Sequence, residues 1–161
     1  VFGLGAIVRG MPHMPAGIGQ SMTVLVANAM VERDQRKACE EVMSAVGRVA
    51  WLEDERLMDA VTGVSGSGPA YVFLVIESLT QAGVDMGLSR ELSAELAVTT
   101  VAGAGALAFG AEVDAAELRR RVTSPGGTTE AALGVLMGDN GLVELMTEAV
   151  RAATERGREL A

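Results

Sequence analysis

Short apolar runs alternate with polar and turn-forming positions over the first third of the chain. Ala6–Arg9 is typical of the end of a strand, and the apolar run Met22–Ala27 has the β-branched residues of a second strand. Arg33–Val46 is apolar on one face only, which predicts an amphipathic helix that Gly47 ends. Arg48–Leu52 alternates again and predicts a third strand. This region therefore predicts a small α/β assembly.

From Glu55 onward, no segment has the pattern of a strand. Leu57–Val64 begins a helix, and Pro69 occupies a helix start, where its missing N–H is harmless. A long helix over Ser89–Phe109 is rich in Ala and Gly. Three further helices are predicted, at Asp114–Val122, Gly126–Met137 and Leu142–Leu160. A boundary near Glu53–Glu55 would separate the strand-bearing part from the all-helical part.

The segment after Pro69, AYVFLVIESL, is apolar around nearly its whole circumference. Such a helix must be buried on all sides. A lone domain of roughly 100 residues has little interior in which to bury it. We therefore expect a second copy of the chain to cover it, as in a homodimer. A fully buried central helix within a monomer is the alternative.

Composition narrows the class of partner. The chain has 161 residues, of which 49% are hydrophobic, 21% are charged and only 3% are aromatic. A core of Ala, Val, Leu and Met suits close-packed helices better than a β-sandwich. The net charge is −8, the only lysine is Lys37, and the one basic run, Arg119–Arg121, is short. These features argue against a nucleic-acid partner, since binding phosphates needs clustered basic residues.

Cysteine content and hydropathy bear on the location. Cys39 is the only cysteine, so an intrachain disulfide and a cysteine-based zinc site are both excluded. A reducing cytoplasm is the expected location. The longest low-charge stretch that would form one helix, Leu96–Ala111, is shorter than the roughly 20 apolar residues of a membrane span. With no signal peptide before it, we expect no association with a membrane.

The richest candidate chemistry lies in Val122–Glu130, whose sequence is VTSPGGTTE. Ser124 is expected to cap a helix whose first residue is Pro125. The N–H groups after Pro125 would face outward at the positive end of the helix dipole, with no side chains on the two glycines to block a ligand. A pocket for a small carboxylate would be lined by the N–H groups of Gly126, Gly127, Thr128 and Thr129 and the hydroxyls of Ser124, Thr128 and Thr129. A capped helix start without a ligand is the alternative.

Other residues with possible chemistry stand more alone. Ser65–Tyr71 (SGSGPAY) is a second candidate helix start with open N–H groups, although its glycines also suit contact between helices. His13 is the only histidine. Since the sequence has no recognisable pattern of metal ligands or of Ser–His–Asp partners for it, we expect it to face solvent. Gly3 and Gly5 lack the preceding strand and the third glycine of a dinucleotide fingerprint. Neither a metal site nor a complete cofactor loop is predicted.

Four motifs together resemble the pyrroline-5-carboxylate reductases, the enzymes of the last step of proline synthesis. They occur in the order and at the spacing of that family, from about Ile7 to the end of the chain. The motifs are Arg9-x-Met11-Pro12-x-x-Pro15, Asp59–Tyr71 (DAVTGVSGSGPAY), Gly83-Val84-x-Met86-Gly87-Leu88 and Thr123–Thr129 (TSPGGTT). One departure is the His13-Met14 pair, because the family usually has Asn-Thr between the two prolines of the first motif.

The resemblance implies a mainly α chain. Residues 1–55 would be the C-terminal remnant of a dinucleotide-binding Rossmann domain, an α/β structure. Residues 56–161 would be an all-helical dimerisation and substrate-binding domain of the 6-phosphogluconate dehydrogenase C-terminal type. The implied reaction is hydride transfer from NADPH or NADH to the C=N carbon of 1-pyrroline-5-carboxylate, giving L-proline. Family active sites form between protomers, which agrees with a homodimer or a higher oligomer.

The resemblance also implies roles for individual residues. Thr129 would be catalytic, because its hydroxyl would hydrogen-bond the ring nitrogen and favour the protonated, electrophilic imine. Glu112 matches a family acid that lies near this site. The carboxylate would be held by Ser124 and the backbone of Gly126, Gly127 and Thr128. The nicotinamide side would be formed by Met11, Pro12 and His13.

Two other functions stay open. The family's glycine-rich cofactor loop has no counterpart in this chain, so we expect the chain alone to be inactive. The first alternative function is therefore that of a non-catalytic dimerisation fragment. A relative of the β-hydroxyacid dehydrogenases would also combine Rossmann and helical parts. Those enzymes use a catalytic lysine on the helical side, whereas Lys37 precedes the predicted boundary.

Overall fold

A computed structural model describes residues 5–160 of the chain. Three strands form one small sheet in the order β1 (Val8–Met11), β2 (Ser21–Ala27) and β3 (Gly47–Leu52). β1 runs antiparallel to β2, whereas β2 and β3 are parallel, with Ser21 opposite Gly47. Every strand among the described residues precedes Glu55, as the pattern of apolar positions predicts.

The first helix, α1 (Arg33–Ser44), connects the two parallel strands, which need a crossover rather than a tight turn. Glu32 and Gln35 form a reciprocal capping box at its start. The helix ends at Ser44, with Ala45 as its C-cap, two residues earlier than predicted. Gly47 instead opens β3 with a φ of +149°, and a Cβ there would overlap the backbone of Ser21. The sequence predicts that Gly47 ends the helix, whereas in the structure Gly47 is needed because β2 and β3 approach each other closely there.

Six further α-helices follow within residues 5–160, and the mainly α fold is confirmed. They are α2 (Met58–Val61), α3 (Gly68–Asp85), α4 (Arg90–Gly110), α5 (Ala115–Arg121), α6 (Thr128–Leu136) and α7 (Leu142–Leu160). Side chains cap two of them: the Leu92 N–H donates to Ser89 Oγ before α4, and the Glu117 N–H donates to Asp114 before α5. A π-helical turn, Thr62–Gly66, lies between α2 and α3.

The chain divides into two compact units, the first consisting of Val1–Pro69 with Glu148–Ala161. Among its described residues, Thr23 and Met58 are fully buried and Leu25 is 2% exposed. The π-helical turn packs directly against α7, where a Cβ on Gly63 would stand 2.7 Å from Thr154 Oγ1. The two units divide the chain after Pro69 and after Thr147. They do not test the predicted domain boundary at residues 53–55, which stays a prediction.

The second unit, Ala70–Thr147, contains most of α3 and all of α4, α5 and α6. Helices α3 and α4 approach closely at Gly83, where a Cβ would lie 2.7 Å from Ser93 Oγ. Ser93 and Ala97 are the buried residues of this unit within the described part of the chain. Large apolar side chains such as those of Leu74 and Phe109 stay more than half exposed.

Helix lengths correct one expectation. The helical stretch Glu55–Asp85 and the helix Arg90–Gly110 are both long and apolar enough to cross a membrane, judged by length and composition only. The expectation that the helix containing Leu96–Ala111 is too short to span a membrane is wrong, because this helix begins six residues earlier, at Arg90. Core helices of soluble proteins pass the same test, so this observation is weak evidence for a membrane span.

Candidate functional site

The segment before α6 forms a tight turn. The Gly127 N–H donates to the Ser124 carbonyl oxygen at 3.0 Å, and Gly126 has a φ of +69°. A type II turn needs a positive φ at its third position, which favours glycine, and it often has proline in the second. The N-cap of α6 is Gly127, so the prediction of Ser124 as N-cap and Pro125 as first helical residue is wrong.

This turn decides which backbone N–H groups stay open to a ligand. The Gly126 N–H already donates to the carboxylate of Glu130, at 2.7 Å from Oε2. The Gly127 N–H is used within the turn itself. Thr128 and Thr129 are the first residues of α6, so their N–H groups have no acceptor inside the helix. These two N–H groups lie at the positive end of the α6 dipole.

The two glycines of the turn are needed for different reasons. Gly126 meets nothing within 4 Å at its Cβ position, so its requirement is the left-handed backbone alone. Gly127 is needed for space, because a Cβ there would stand 2.5 Å from Ser124 Oγ. That contact places the Ser124 hydroxyl beside the N-cap of α6. Thr128 is exposed and Thr129 half-buried. Within residues 5–160, the hydroxyls of Ser124, Thr128 and Thr129 have no protein hydrogen-bond partner that would compete with a ligand.

A groove between α5 and α6 borders this turn, with Thr123 and Glu130 in its lining. On α5, the carboxylate of Glu117 accepts hydrogen bonds from Arg121 and Arg120, which hold the pKa of Glu117 below its usual value. The guanidinium of Arg119 instead contacts the sulfur of Met137 at 3.2 Å. Glu112 lies exposed in the bend before α5, and no hydrogen bond to a described residue links it to the turn.

The residues of the first motif that are expected to lie near the nicotinamide lie at or just after the end of β1, in the first unit. Met11 packs toward the π-helical turn, since a Cβ on Gly66 would lie 3.5 Å from the Met11 sulfur. Pro12 is exposed. Thr62 reaches the same place, 3.5 Å from that Cβ position. The structure thus brings the first and second motifs together, a contact that sequence reasoning did not predict.

His13 does not face solvent, and that expectation is wrong. Its Nε2 accepts the Met22 N–H at 3.1 Å, so the proton of the neutral ring lies on Nδ1. Nδ1 is buried and has no hydrogen-bond partner among residues 5–160. The His13 N–H donates to Ser21 Oγ at 3.4 Å. His13 therefore holds its loop against the start of β2.

The second candidate helix start also differs from expectation. The Ser67 N–H donates to the Thr62 carbonyl oxygen at 2.8 Å, so the π-helical turn leads into α3 and uses an N–H group expected to be open. Tyr71 lies half-buried in the first turn of α3.

Gly3 lies outside the described residues, and Gly5 is exposed in a bend. Among the described residues, no cluster of metal-binding side chains is found. Lys37 pairs with Glu41 at 3.7 Å on exposed α1.

Comparisons with known proteins agree with the four motifs. A family model described as pyrroline-5-carboxylate reductase dimerisation matches residues 55–160. A pyrroline-5-carboxylate reductase from Pseudomonas aeruginosa is 49% identical over 155 residues, which cover 96% of this chain and 56% of that enzyme. The chain therefore spans about half the length of the curated relatives it matches.

Solved structures give the same result. The pyrroline-5-carboxylate reductase of Coxiella burnetii superposes with a TM-score of 0.92 at 43% identity, over 97% of this chain and 57% of that one. The pyrroline carboxylate reductase of Plasmodium falciparum, solved with NADP bound, superposes with a TM-score of 0.86 at 34% identity, over 99% and 60% respectively. By the match over 55–160 and these likenesses, the chain belongs to the pyrroline-5-carboxylate reductase family.

Proposed function

We propose that this chain is the substrate-binding and dimerisation part of a cytoplasmic NADPH- or NADH-dependent reductase that converts 1-pyrroline-5-carboxylate into L-proline. The observation that carries the proposal is the turn Ser124–Gly127, which leaves the N–H groups of Thr128 and Thr129 open at the start of α6 in a chain of this family. An anion-binding helix start with hydroxyls beside it suits a small cyclic imine that carries one carboxylate.

The substrate carboxylate would accept hydrogen bonds from the N–H groups of Thr128 and Thr129. Ser124, whose hydroxyl lies beside Gly127, would complete the set. Gly126 and Gly127 would then shape the site with their backbone, because their own N–H groups already have acceptors. Glu112 would contribute charge near the site, as the family resemblance implies.

Thr129 would act on the reacting bond. Its hydroxyl, next to the open N–H groups, would hydrogen-bond the ring nitrogen and favour the protonated imine, whose carbon accepts hydride more readily. Since the nicotinamide cofactor supplies the hydride when it is bound, the protein needs to orient the imine and stabilise charge rather than carry out acid–base steps. A site of hydroxyls and amides meets that requirement.

The first unit would form one wall of the nicotinamide site with Met11 and Pro12. Support comes from the position of Met11, whose side chain packs against the π-helical turn at Gly66. The His13 ring has one nitrogen bonded to Met22 and the other buried, so we assign His13 to holding this loop in place. Because no complete dinucleotide-binding loop is recognised in the chain, we propose that it needs a cofactor-binding domain for turnover.

Helices α3 and α4 would pair with those of a second copy. Leu74 and Leu107 are each 61% exposed in the single chain, an unfavourable state for apolar side chains. A Cβ at Gly103 or Gly105 of α4 would meet nothing within 4 Å in the described part of the chain. Small residues facing open space allow another helix to approach closely. A homodimer, or a higher oligomer built from it, would bury this surface.

The proposed role of Thr129 is tested in a full-length reductase that contains this chain. Thr129→Ala should lower kcat by roughly 10-fold to 1,000-fold, because it removes a hydrogen bond that strengthens in the transition state. Thr129→Ser keeps a hydroxyl and should recover most of the rate. Thr128→Ala keeps the backbone N–H and should stay within about threefold of the wild type. An unchanged rate for Thr129→Ala would remove this residue from the mechanism.

A separate assay tests the need for a further domain. The isolated chain, mixed with NADPH and 1-pyrroline-5-carboxylate, should produce no proline. Measurable turnover would show that the chain holds a complete cofactor site and that the division of roles proposed above is wrong.

A further inference from the structure

The carboxylate of Glu130 has a place in the substrate site that the family motif does not explain. It accepts the Gly126 N–H at 2.7 Å, a short hydrogen bond of the charge-assisted kind. The N–H that closes the turn is that of Gly127, so the Gly126 N–H is left for an acceptor outside the turn. Glu130, four residues further along and on the first turn of α6, supplies that acceptor.

We infer that Glu130 is a positioning residue: it holds the Gly126 N–H and thereby fixes the turn that presents the Thr128 and Thr129 N–H groups to the substrate carboxylate. This inference rests on the proposed function. Without the contact, the Gly126 N–H would be free to compete for the incoming carboxylate, and the glycine-containing turn would sample other conformations. The substrate would then bind in more than one position.

The chain contains a matched control for this contact. Before α7, the Asn140 N–H donates to Glu144 Oε2 at 3.0 Å, again between residues four apart. Asn140 also has a positive φ, of 57°. The two carboxylates therefore make the same local bond at two helix starts. Only the first start carries the threonines of the proposed site, so a purely structural role predicts similar effects from both glutamates.

The experiment compares three variants in the full-length reductase with NADPH as the reductant. Glu130→Ala should raise the KM for 1-pyrroline-5-carboxylate by about 3- to 10-fold and leave kcat within about twofold, because binding geometry is disturbed before the chemical step. Glu130→Gln keeps an oxygen acceptor for Gly126 and should restore KM to within about twofold. Glu144→Ala should leave both constants unchanged. Amide hydrogen exchange should quicken at residues 124 and 126–128 in Glu130→Ala and not in Glu144→Ala.

Several results would overturn the inference. A wild-type KM in Glu130→Ala would show that the turn does not depend on this carboxylate. A lower KM in both Glu130 variants would show that the carboxylate repels the substrate rather than ordering its site. An equal rise in KM for Glu144→Ala would reduce the effect to general stability. If the wild-type enzyme shows no turnover at all, the proposed function fails first, and the role of Glu130 fails with it.

Discussion

The two compact units of this chain differ in how completely they bury their apolar residues. The first unit buries Thr23, Leu25 and Met58 and packs the π-helical turn against α7. The second unit is richer in helix, yet among described residues it buries Ser93 and Ala97 and leaves side chains such as Leu74 exposed. A folded unit that leaves its most apolar helices exposed depends on another surface to cover them. The comparison supports the proposal that a second copy of the chain covers the exposed helices of the second unit.

The strongest way to break this comparison is to place a charge on an exposed apolar residue in each unit. Leu74→Arg on α3 should weaken self-association of the chain by about 100-fold or more, because burying an unpaired charge in an apolar interface is costly. Val42→Arg on α1 is the matched control, since Val42 is 69% exposed and Leu74 61%. Sedimentation or light scattering over a concentration series measures both. A Leu74→Arg chain that associates as tightly as the wild type would refute the proposed dimer interface on α3.

The elements themselves were largely predictable, because their signals are local. Period-two alternation identified β3, and amphipathic spacing identified α1 to within two residues of its end. The apolar pattern of the segment after Pro69 predicts a helix that a second copy of the chain covers, and in the single chain its apolar side chains are exposed. These features depend on residues near each other in sequence.

What sequence reasoning missed depends on competing or distant contacts. The tetrapeptide Ser124–Gly127 suits both a capped helix start and a type II turn, and Glu130 accepting the Gly126 N–H supports the turn. The partner of His13 is the Met22 N–H, nine residues away in a strand. The π-helical turn has no local signal, because the contact of Gly63 with α7 joins segments about 90 residues apart. The role of Thr129 and the other site residues stays a prediction.

A smaller test concerns the close packing of the first unit. Gly63→Ala would place a Cβ 2.7 Å from Thr154 Oγ1 and 3.0 Å from the Val150 carbonyl oxygen. The resulting overpacking should lower the free energy of unfolding by roughly 1–3 kcal/mol. Gly134→Ala on α6 is the control, since a Cβ there meets nothing within 4 Å and alanine favours helix by about 0.5–1 kcal/mol. Urea unfolding followed by circular dichroism compares them. Equal stability of the two variants would contradict the packing of the π-helical turn on α7.

The smallest expected effect concerns one carboxylate in each unit that is paired with arginine at the surface. Hydrogen bonds from Arg121 and Arg120 lower the pKa of Glu117, and a hydrogen bond from Arg56 lowers the pKa of Asp54. A carboxyl whose pKa is lower in the folded state stabilises the fold above its unfolded pKa, and this contribution is lost as the pH falls through the folded value. Stability should therefore decline in acid below about pH 4.5 for Glu117, whose ordinary pKa is 4.5, and below about pH 3.8 for Asp54, whose ordinary pKa is 3.8.

Glu117→Gln and Asp54→Asn should each flatten the acid side of the profile of melting temperature against pH, by an amount that shrinks in 1 M salt because exposed pairs are screened. If the profile keeps its wild-type slope in Glu117→Gln, the arginines of α5 do not stabilise the second unit through this carboxylate.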